Sequence, residues 1–487
     1  MNARPGFFSA DTLDNAGRRR FLQQASAGGG LVLVAGYEGE GQAQEPKKYG
    51  ADGMPNGWVD NALVFVSLAA DGTVSIVCHR SEMGQGVRTS MPMIVADELE
   101  ADWARVKVVQ APGDEKRYGN QDTDGSRSTR HFFTPMRTCG ASARMMLERA
   151  AAEQWNVPVS EVAAKNHQVV HAKSGRKIGY GQLAAAAAKQ PVPSRDQVKL
   201  KDPSQFRYIG KSNIKLVDGR DIVTGKAVYG QDVRLPGMLY AVVARPAVYL
   251  GKVVSVDSSA TMKVPGVVKV VQIEPSAPPA NFNPLGGVAV VAKNTWAALK
   301  GRDALKIVWD DGPNASYDSK AYRATMEAAA RGPGKVVRKE GDFDAAYAKA
   351  AKKVQADYYL PHLAHATMEP PAAAARIVGG KCEIWSSVQS PQAARDLVAK
   401  RLGLDPSNVT VNVTLLGGGF GRKSKPDFCV EAAVVSKAMD GQPVRVIWTR
   451  EDDLRHDYLH TVSAEHLEAG LDENGKCVAW LHRSVAP

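Results

Sequence analysis

Apolar residues dominate Leu63-Val64-Phe65-Val66-Ser67-Leu68, and apolar and polar positions alternate through Thr73-Val74-Ser75-Ile76 before Val77. Asp71-Gly72 between them supplies a tight reversal, which predicts a β-hairpin near the start of the folded chain. A second hairpin is predicted from Ser463 to Leu471 and Lys476 to Val485 around Asn474-Gly475, with no following element to cover it. Between the two the period changes repeatedly. Met136 to Trp155 reads as a helix with Met145, Met146, Leu147 and Ala151 available for a buried face, and Gly140 weakens its start. From Asp218 to Asp311 short Val-rich strands dominate: Val253 to Val256, Val267 to Ile273, Gly287 to Ala292 and Leu305 to Trp309, with one helix from Thr295 to Arg302. Turn signals such as Pro265-Gly266 and a loop rich in Pro and Asn over 275–285 make this a separate small α+β unit. The Gly332-Pro333-Gly334 stretch and a polar, Ala-rich helix read as a connector. In the last unit a helix opens at Ser390-Pro391 and stops at Gly403, followed by a strand from Val409 to Leu416, a glycine-rich turn, and a helix from Asp427 to Met439.

Helices and strands in alternation predict an α+β fold of mixed α/β layers. The expected divisions are a leader and linker over 1–50, an N-terminal segment over 51–205, a strand-rich unit over 206–312, a connector over 313–350 and a final unit over 351–487. A chain of 487 residues is long enough for about two to four domains. Its formal charge of +11 is spread without any run of five basic residues, which argues against a nucleic-acid arm or a polybasic membrane anchor. Cys78, Cys139, Cys382, Cys429 and Cys477 lie far apart, so no iron-sulfur or zinc motif and no disulfide is expected.

Arg18-Arg19-Arg20-Phe21-Leu22 precedes a short Gly- and Ala-rich run ending near Gly36. This run is too short for a membrane span, which needs about 20 apolar residues. The pattern resembles a twin-arginine export signal and implies a periplasmic location without a transmembrane helix.

Glycines 417, 418, 419 and 421 leave main-chain N–H groups bare between a strand and a helix, where they can approach an oxyanion. A simple tight reversal would use the same residues. The Walker pattern fails because Arg422 precedes Lys423-Ser424, and the Rossmann spacing fails too. Upstream stand Met368-Glu369-Pro370 and Ser387-Val388-Gln389-Ser390-Pro391-Gln392. In this order the three motifs resemble the first molybdenum-cofactor domain of the xanthine dehydrogenase and aldehyde oxidase family. Trp448 to Asp453 extends the likeness. The resemblance implies that Gln389 lies near the metal, that Phe420 and Gly421 present backbone donors, and that Gly418, Gly419 and Arg422 complete the loop.

Thr224 to Tyr229 and Leu235 to Tyr240, with the valine strands after them, resemble the family's hammerhead domain. Glu82-Met83-Gly84-Gln85-Gly86, then Thr89 and Ala96-Asp97-Glu98-Leu99, resemble a cofactor-binding element that follows the hammerhead in most of the family. Its early position here is similar to the isoquinoline oxidoreductase-like branch. By that resemblance Gln85 and the amides around Gly84 and Gly86 hold the pterin phosphate, and Gly125, Ser126, Arg127 and Ser128 line the dinucleotide. The implied cofactor is molybdopterin cytosine dinucleotide. Its pterin holds the metal, so His362, His365, His456, His460 and His466 are expected as core or surface residues.

What the family implies is hydroxylation of an aldehyde or N-heteroaromatic carbon with water-derived oxygen. A small subunit carrying 2Fe-2S clusters would take the electrons, and a cytochrome c subunit suits an exported member. Ser424 stands where some relatives carry a substrate-contacting glutamate, which disfavours a purine. The family's general-base glutamate sits in a Gly-x-Gly-Glu setting near the C-terminus, and no such motif occurs here; neither Glu340 nor Glu369 has that setting. The catalytic base is therefore unassigned, and this chain alone is expected to be inactive. It reads either as a fragment of a longer subunit or as one half of a split one. The alternative is a non-catalytic binding or assembly protein that keeps the fold.

Overall fold

The computed structural model describes residues 56–487. The leader and linker expected over 1–50, with their export signal, lie outside the described residues. Strands Val66–Leu68, Val74–Cys78 and Val106–Gln110 form a three-stranded sheet in that spatial order, with helices Val87–Glu98 and Arg127–Trp155 packed against it. Phe65, Ile76, Met91, Ile94, Phe132 and Met136 fill the core. The first hairpin differs from expectation at its entry, because Ala62–Phe65 is a helical turn capped by Asn61, whose Oδ1 accepts from Leu63 N–H at 2.9 Å. Asp71-Gly72 does make the reversal, with Thr73 N–H donating to Asp71 Oδ1 at 2.7 Å.

The long helix starts at Arg127 rather than Met136, and Gly140 lies in its middle. A Cβ at Gly140 would stand 2.3 Å from Val95 O and 2.8 Å from Glu98 Cβ. The glycine thus lets two helices touch, and that contact more than offsets its weak helix propensity.

A seven-stranded mixed sheet organises the second core, in the spatial order Val409–Val413, Lys381–Ser386, Ala372–Val378, Val444–Ile447, Leu239–Ala244, Gly287–Ala292, Val267–Ile273. Helices Pro391–Leu402 and Asp427–Ala438 pack on one face over Ala375, Ile384, Val411 and Val446. Helix Thr295–Asp303 covers part of the other face through Val242, Ala292, Ala297 and Ala298. Gly287–Ala292 is accordingly buried at every position, as a strand covered on both sides must be. The segment expected as a separate unit is not separate at the level of the sheet, since Leu239–Ala244 pairs in parallel with Val444–Ile447.

The connector is also packed. Its helix Ser319–Arg331 lies on the sheet formed by Lys352–Leu360, Ser463–Leu471 and Cys477–Val485, where Met326, Ala330, Val462 and Ala464 make a small core. The final hairpin, expected bare, is covered on that face by elements that precede it. A crossing segment ties the two large cores together. Asp97 Oδ2 accepts from Tyr208 and Ile209 N–H, both at 2.9 Å, Arg88 pairs with Asp218 at 2.8 Å, and Leu415 N–H donates to Val228 O at 3.2 Å. Among the described residues no helix is long and apolar enough to cross a membrane.

Candidate cofactor site

The turn after strand Val74–Cys78 is shaped by a carboxylate. Glu82 is buried, and its oxygens accept from Gly84, Gly86 and Arg88 N–H, each at 2.9 Å. Positive φ at Gly84 (106°) and Gly86 (82°) points these amides inward. The donors expected to meet a phosphate thus already hold an anion supplied by the chain. Gln85 is turned back on the same loop, its Oε1 accepting from Met83 N–H at 2.7 Å and its Nε2 donating to Ser81 O at 3.0 Å.

Gln389 is the hub. Its Nε2 donates to Thr123 O at 2.7 Å, its Oε1 accepts from Gly421 N–H at 3.0 Å, and Thr123 N–H donates to Gln389 O at 3.0 Å. Thr123 Oγ1 accepts from Ser81 N–H at 2.9 Å, and Leu416 N–H donates to Glu82 O at 2.9 Å. Four sequence-distant stretches, at 81–88, 123–128, 389–392 and 416–424, are joined by these contacts. Gly125 and Ser126, both with positive φ, open the helix Arg127–Trp155, where Arg127 pairs with Asp124 at 2.6 Å.

In the glycine loop, a Cβ at Gly419 would lie 2.5 Å from Gln389 Oε1 and 2.7 Å from Met83 Sδ, so no side chain fits there. The N–H groups of Gly418, Gly419 and Phe420 have no acceptor among the described residues, although Gly419 is buried. An orphaned buried amide is costly unless a group beyond the described residues satisfies it. Met368 and Phe420 flank these donors with 82% and 65% of their surface exposed, an open apolar rim around bare backbone.

Behind the loop the charges are paired. Lys423 Nζ donates to Glu369 Oε2 at 2.6 Å, and Glu369 also accepts from Gly417 N–H at 2.9 Å and Gln231 N–H at 3.0 Å. Burial pulls the Lys423 ammonium below its ordinary value despite that partner. Arg422 makes a bidentate contact with Asp427, at 2.8 and 3.0 Å, and its Nε lies 2.7 Å from Asp457. Burial opposes its charge, but Asp427, Asp457 and Asp453 outweigh burial and hold the guanidinium above its usual range. Arg422 is therefore a buried scaffold beneath the loop. Beside the loop a cleft of about 450 Å³ is lined by Asp122, Asn281, Phe282, Ser390, Ser424 and Lys425, among others.

Residue reasoning from motifs missed Glu82 as the internal anion, Thr123 as the partner of Gln389, and Asp457 behind Arg422 and His365. Glu82 is adjacent to the Met-Gly-Gln-Gly motif, which was a usable signal. Asp457 had none.

Two domain families match this chain, both described as molybdopterin cofactor-binding domains, the second-type model over residues 14–216 and the first-type model over 328–486. The chain is 33% identical over 473 residues to the beta chain of isoquinoline 1-oxidoreductase from Brevundimonas diminuta, covering 87% of this chain and 58% of that protein. It is 29% identical over 440 residues to a membrane-bound aldehyde dehydrogenase (pyrroloquinoline-quinone) of Gluconacetobacter polyoxogenes, covering 89% and 56%, and 28% identical to a nicotinate dehydrogenase subunit from Pseudomonas putida, covering 87% and 35%. The solved aldehyde oxidoreductase from Desulfovibrio gigas aligns at 20% identity with a TM-score of 0.46, over 63% of this chain and 38% of that one. The chain thus spans between about a third and three-fifths of the length of these curated relatives. The fold is one of mixed helix and sheet, and both matched domain families are molybdopterin cofactor-binding domains. The chain belongs to the xanthine dehydrogenase and aldehyde oxidase family as a molybdopterin-binding subunit.

Proposed function

We propose that this chain forms the molybdopterin-binding part of a molybdenum hydroxylase that oxidises an aldehyde or an N-heteroaromatic carbon with oxygen taken from water. The observation that carries this reading is the row of unaccepted N–H groups at Gly418, Gly419 and Phe420, set beside Gln389. These residues fit an electronegative, oxygen-rich group, and the exposed Met368 and Phe420 suit its planar organic part. Bound there, the molybdenum cofactor supplies the two-electron acceptor for the oxidation.

The residues of this chain bind and orient. Gly418, Gly419 and Phe420 donate from the backbone, while the Gly421 N–H is held by Gln389 and keeps that amide in place. Arg422 and Lys423 hold the loop from beneath through Asp427 and Glu369. Because Glu82 already occupies the Gly84 and Gly86 amides, the Met-Gly-Gln-Gly loop would contribute through Gln85 and its remaining N–H, whereas Gly125, Ser126, Arg127 and Ser128 at the exposed helix start would meet a dinucleotide phosphate. The cytosine dinucleotide form, 2Fe-2S clusters on a separate small subunit, a cytochrome c partner and twin-arginine export to the periplasm belong to the same reading, as does a hammerhead-like character for residues 206–312. The relatives named as subunits support a multi-subunit assembly.

Elemental mass spectrometry and nucleotide release test it, on protein made in a host that synthesises the bacterial cofactor. Near-stoichiometric molybdenum with cytidine monophosphate is expected. Protein free of molybdenum would refute the reading.

A further inference from the structure

The loop between strands Val267–Ile273 and Gly287–Ala292 carries Asn281 and Phe282 at φ 47° and 61°. Asparagine tolerates that left-handed region, whereas a bulky side chain such as phenylalanine seldom enters it, so the surroundings must hold Phe282 there. Within the loop, Ser276 N–H donates to Pro284 O at 3.0 Å, and Asn283 Nδ2 donates to Ala280 O at 2.9 Å and to Asn281 O at 3.2 Å. From outside it, the Tyr458 hydroxyl donates to Asn283 O, and the Tyr458 ring meets Phe282 at 5.1 Å with the planes 79° apart. The Lys425 ammonium lies 4.2 Å from the centre of the Phe282 ring. Arg422 fixes both anchors, since its Nη1 donates to Lys425 O at 3.0 Å and its Nε is 2.7 Å from Asp457, the neighbour of Tyr458. A phenylalanine held this firmly is normally buried, yet Phe282 is 44% exposed and lines the cleft of about 450 Å³ beside the glycine loop.

That volume suits a small molecule. Among the residues lining it, Asp122, Asp124 and Asp396 stand against the one ammonium of Lys425. Arg127 pairs with Asp124 at 2.6 Å, which still leaves two carboxylates to one cation. We propose that Phe282 is a specificity-determining residue of this cleft: it packs against a planar, uncharged aromatic substrate, while the carboxylates turn away an aromatic acid. The proposal rests on the molybdenum-hydroxylase reading above and narrows its substrate class. An aromatic substrate gains both apolar burial and a ring–ring contact at Phe282, whereas a saturated ring of the same size gains the burial alone. A carboxylate on the substrate meets like charge in the cleft and is disfavoured. Because Arg422 underlies the glycine loop as well as both anchors of Phe282, one guanidinium keeps the aromatic wall in register with the bare amides.

The test begins with molybdenum content and then measures binding to the full, loaded chain by saturation-transfer NMR titration. The probes are acetophenone, cyclohexyl methyl ketone and 4-acetylbenzoate, which have the shape of aldehydes but are not consumed. Wild type should bind acetophenone more tightly than the saturated ketone, and Phe282→Leu should lower that ratio about threefold to tenfold. Phe282→Tyr, which keeps a ring, should retain it, a contrast that a general loss of packing would not produce. At low salt acetophenone should also bind about threefold or more tightly than 4-acetylbenzoate, and Asp122→Asn/Asp396→Asn should remove that difference. An unchanged ratio in Phe282→Leu, an equal fall in Phe282→Tyr, or wild-type binding of 4-acetylbenzoate as tight as that of acetophenone overturns the proposal. So does binding to the cofactor-free chain that loading abolishes, because the cleft would then be the seat of the cofactor. Wild-type protein that takes up no molybdenum refutes the underlying reading, whereas loaded protein without these preferences refutes the inference alone.

Discussion

Removing the Glu369 carboxylate strands a cation in the interior. Lys423 has no exposed side-chain surface, and Glu369 is the partner of its ammonium at 2.6 Å as well as the acceptor for the Gly417 and Gln231 amides. Breaking one side of a buried pair costs about 3–5 kcal/mol, because the remaining charge stays desolvated. Glu369→Ala should therefore destabilise the second core by about that amount and loosen the loop that starts at Gly417. Lys423→Met leaves the carboxylate with two amide donors and should cost less. In Glu369→Ala/Lys423→Met no uncompensated charge remains, so the double variant should be about 1–3 kcal/mol more stable than the sum of its single changes predicts. Denaturant unfolding followed by tryptophan fluorescence reads this, since Trp385 and Trp448 are buried in the same half of the chain. The cycle needs all four proteins under one buffer condition. Additivity within about 0.5 kcal/mol would refute the view that the two side chains act as a pair.

Three further outcomes follow from the geometry. Gly419→Ala puts a methyl 2.5 Å from Gln389 Oε1, so the amide must move and release buried hydrogen bonds worth about 1 kcal/mol each; molybdenum content and melting temperature should both fall, and retention of both would contradict the packing. Gly140→Ala gains about 1 kcal/mol of helix propensity but collides with Val95 O at 2.3 Å, so the unfolding midpoint should drop; a rise would show that the two helices can part freely. Burial pushes the Glu115 carboxyl up to about 6 from 4.5, so the folded state holds its proton more tightly than the unfolded chain and stability declines as pH rises from about 4.5 through about 6, by about 2 kcal/mol. Glu115→Gln should lack this decline in thermal melts, and a pH dependence identical to wild type would remove Glu115 as its source.

Local order was legible wherever a residue type acts on its neighbours. Val267–Ile273 and Gly287–Ala292 occupy the predicted strands, and the helix Pro391–Leu402 ends where Gly403, at φ 69°, takes the left-handed turn that glycine tolerates. Gly140 was read as a weak start because propensity sees only its own helix, whereas its reason is the carbonyl of Val95 on another. Strand pairing failed for a related cause: nothing within Leu239–Ala244 names Val444–Ile447 as its parallel neighbour, so one continuous sheet reads as two units. The same distinction runs through the site. Gln389 and the glycines were found because bare backbone next to an amide is itself a chemical signal. Glu82 stood in plain view, yet a carboxylate beside inward-pointing amides can either repel an anion or be that anion. Only the turn geometry decides, and with three bonds at 2.9 Å it decides for the second. Once Glu82 fills that nest, its charge lies close to the loop from which a phosphate had been expected to hang, and the burden of binding shifts to donors that remain unaccepted. Gly418, Gly419 and Phe420 are such donors, in the same loop as the Gly421 amide that Gln389 already holds.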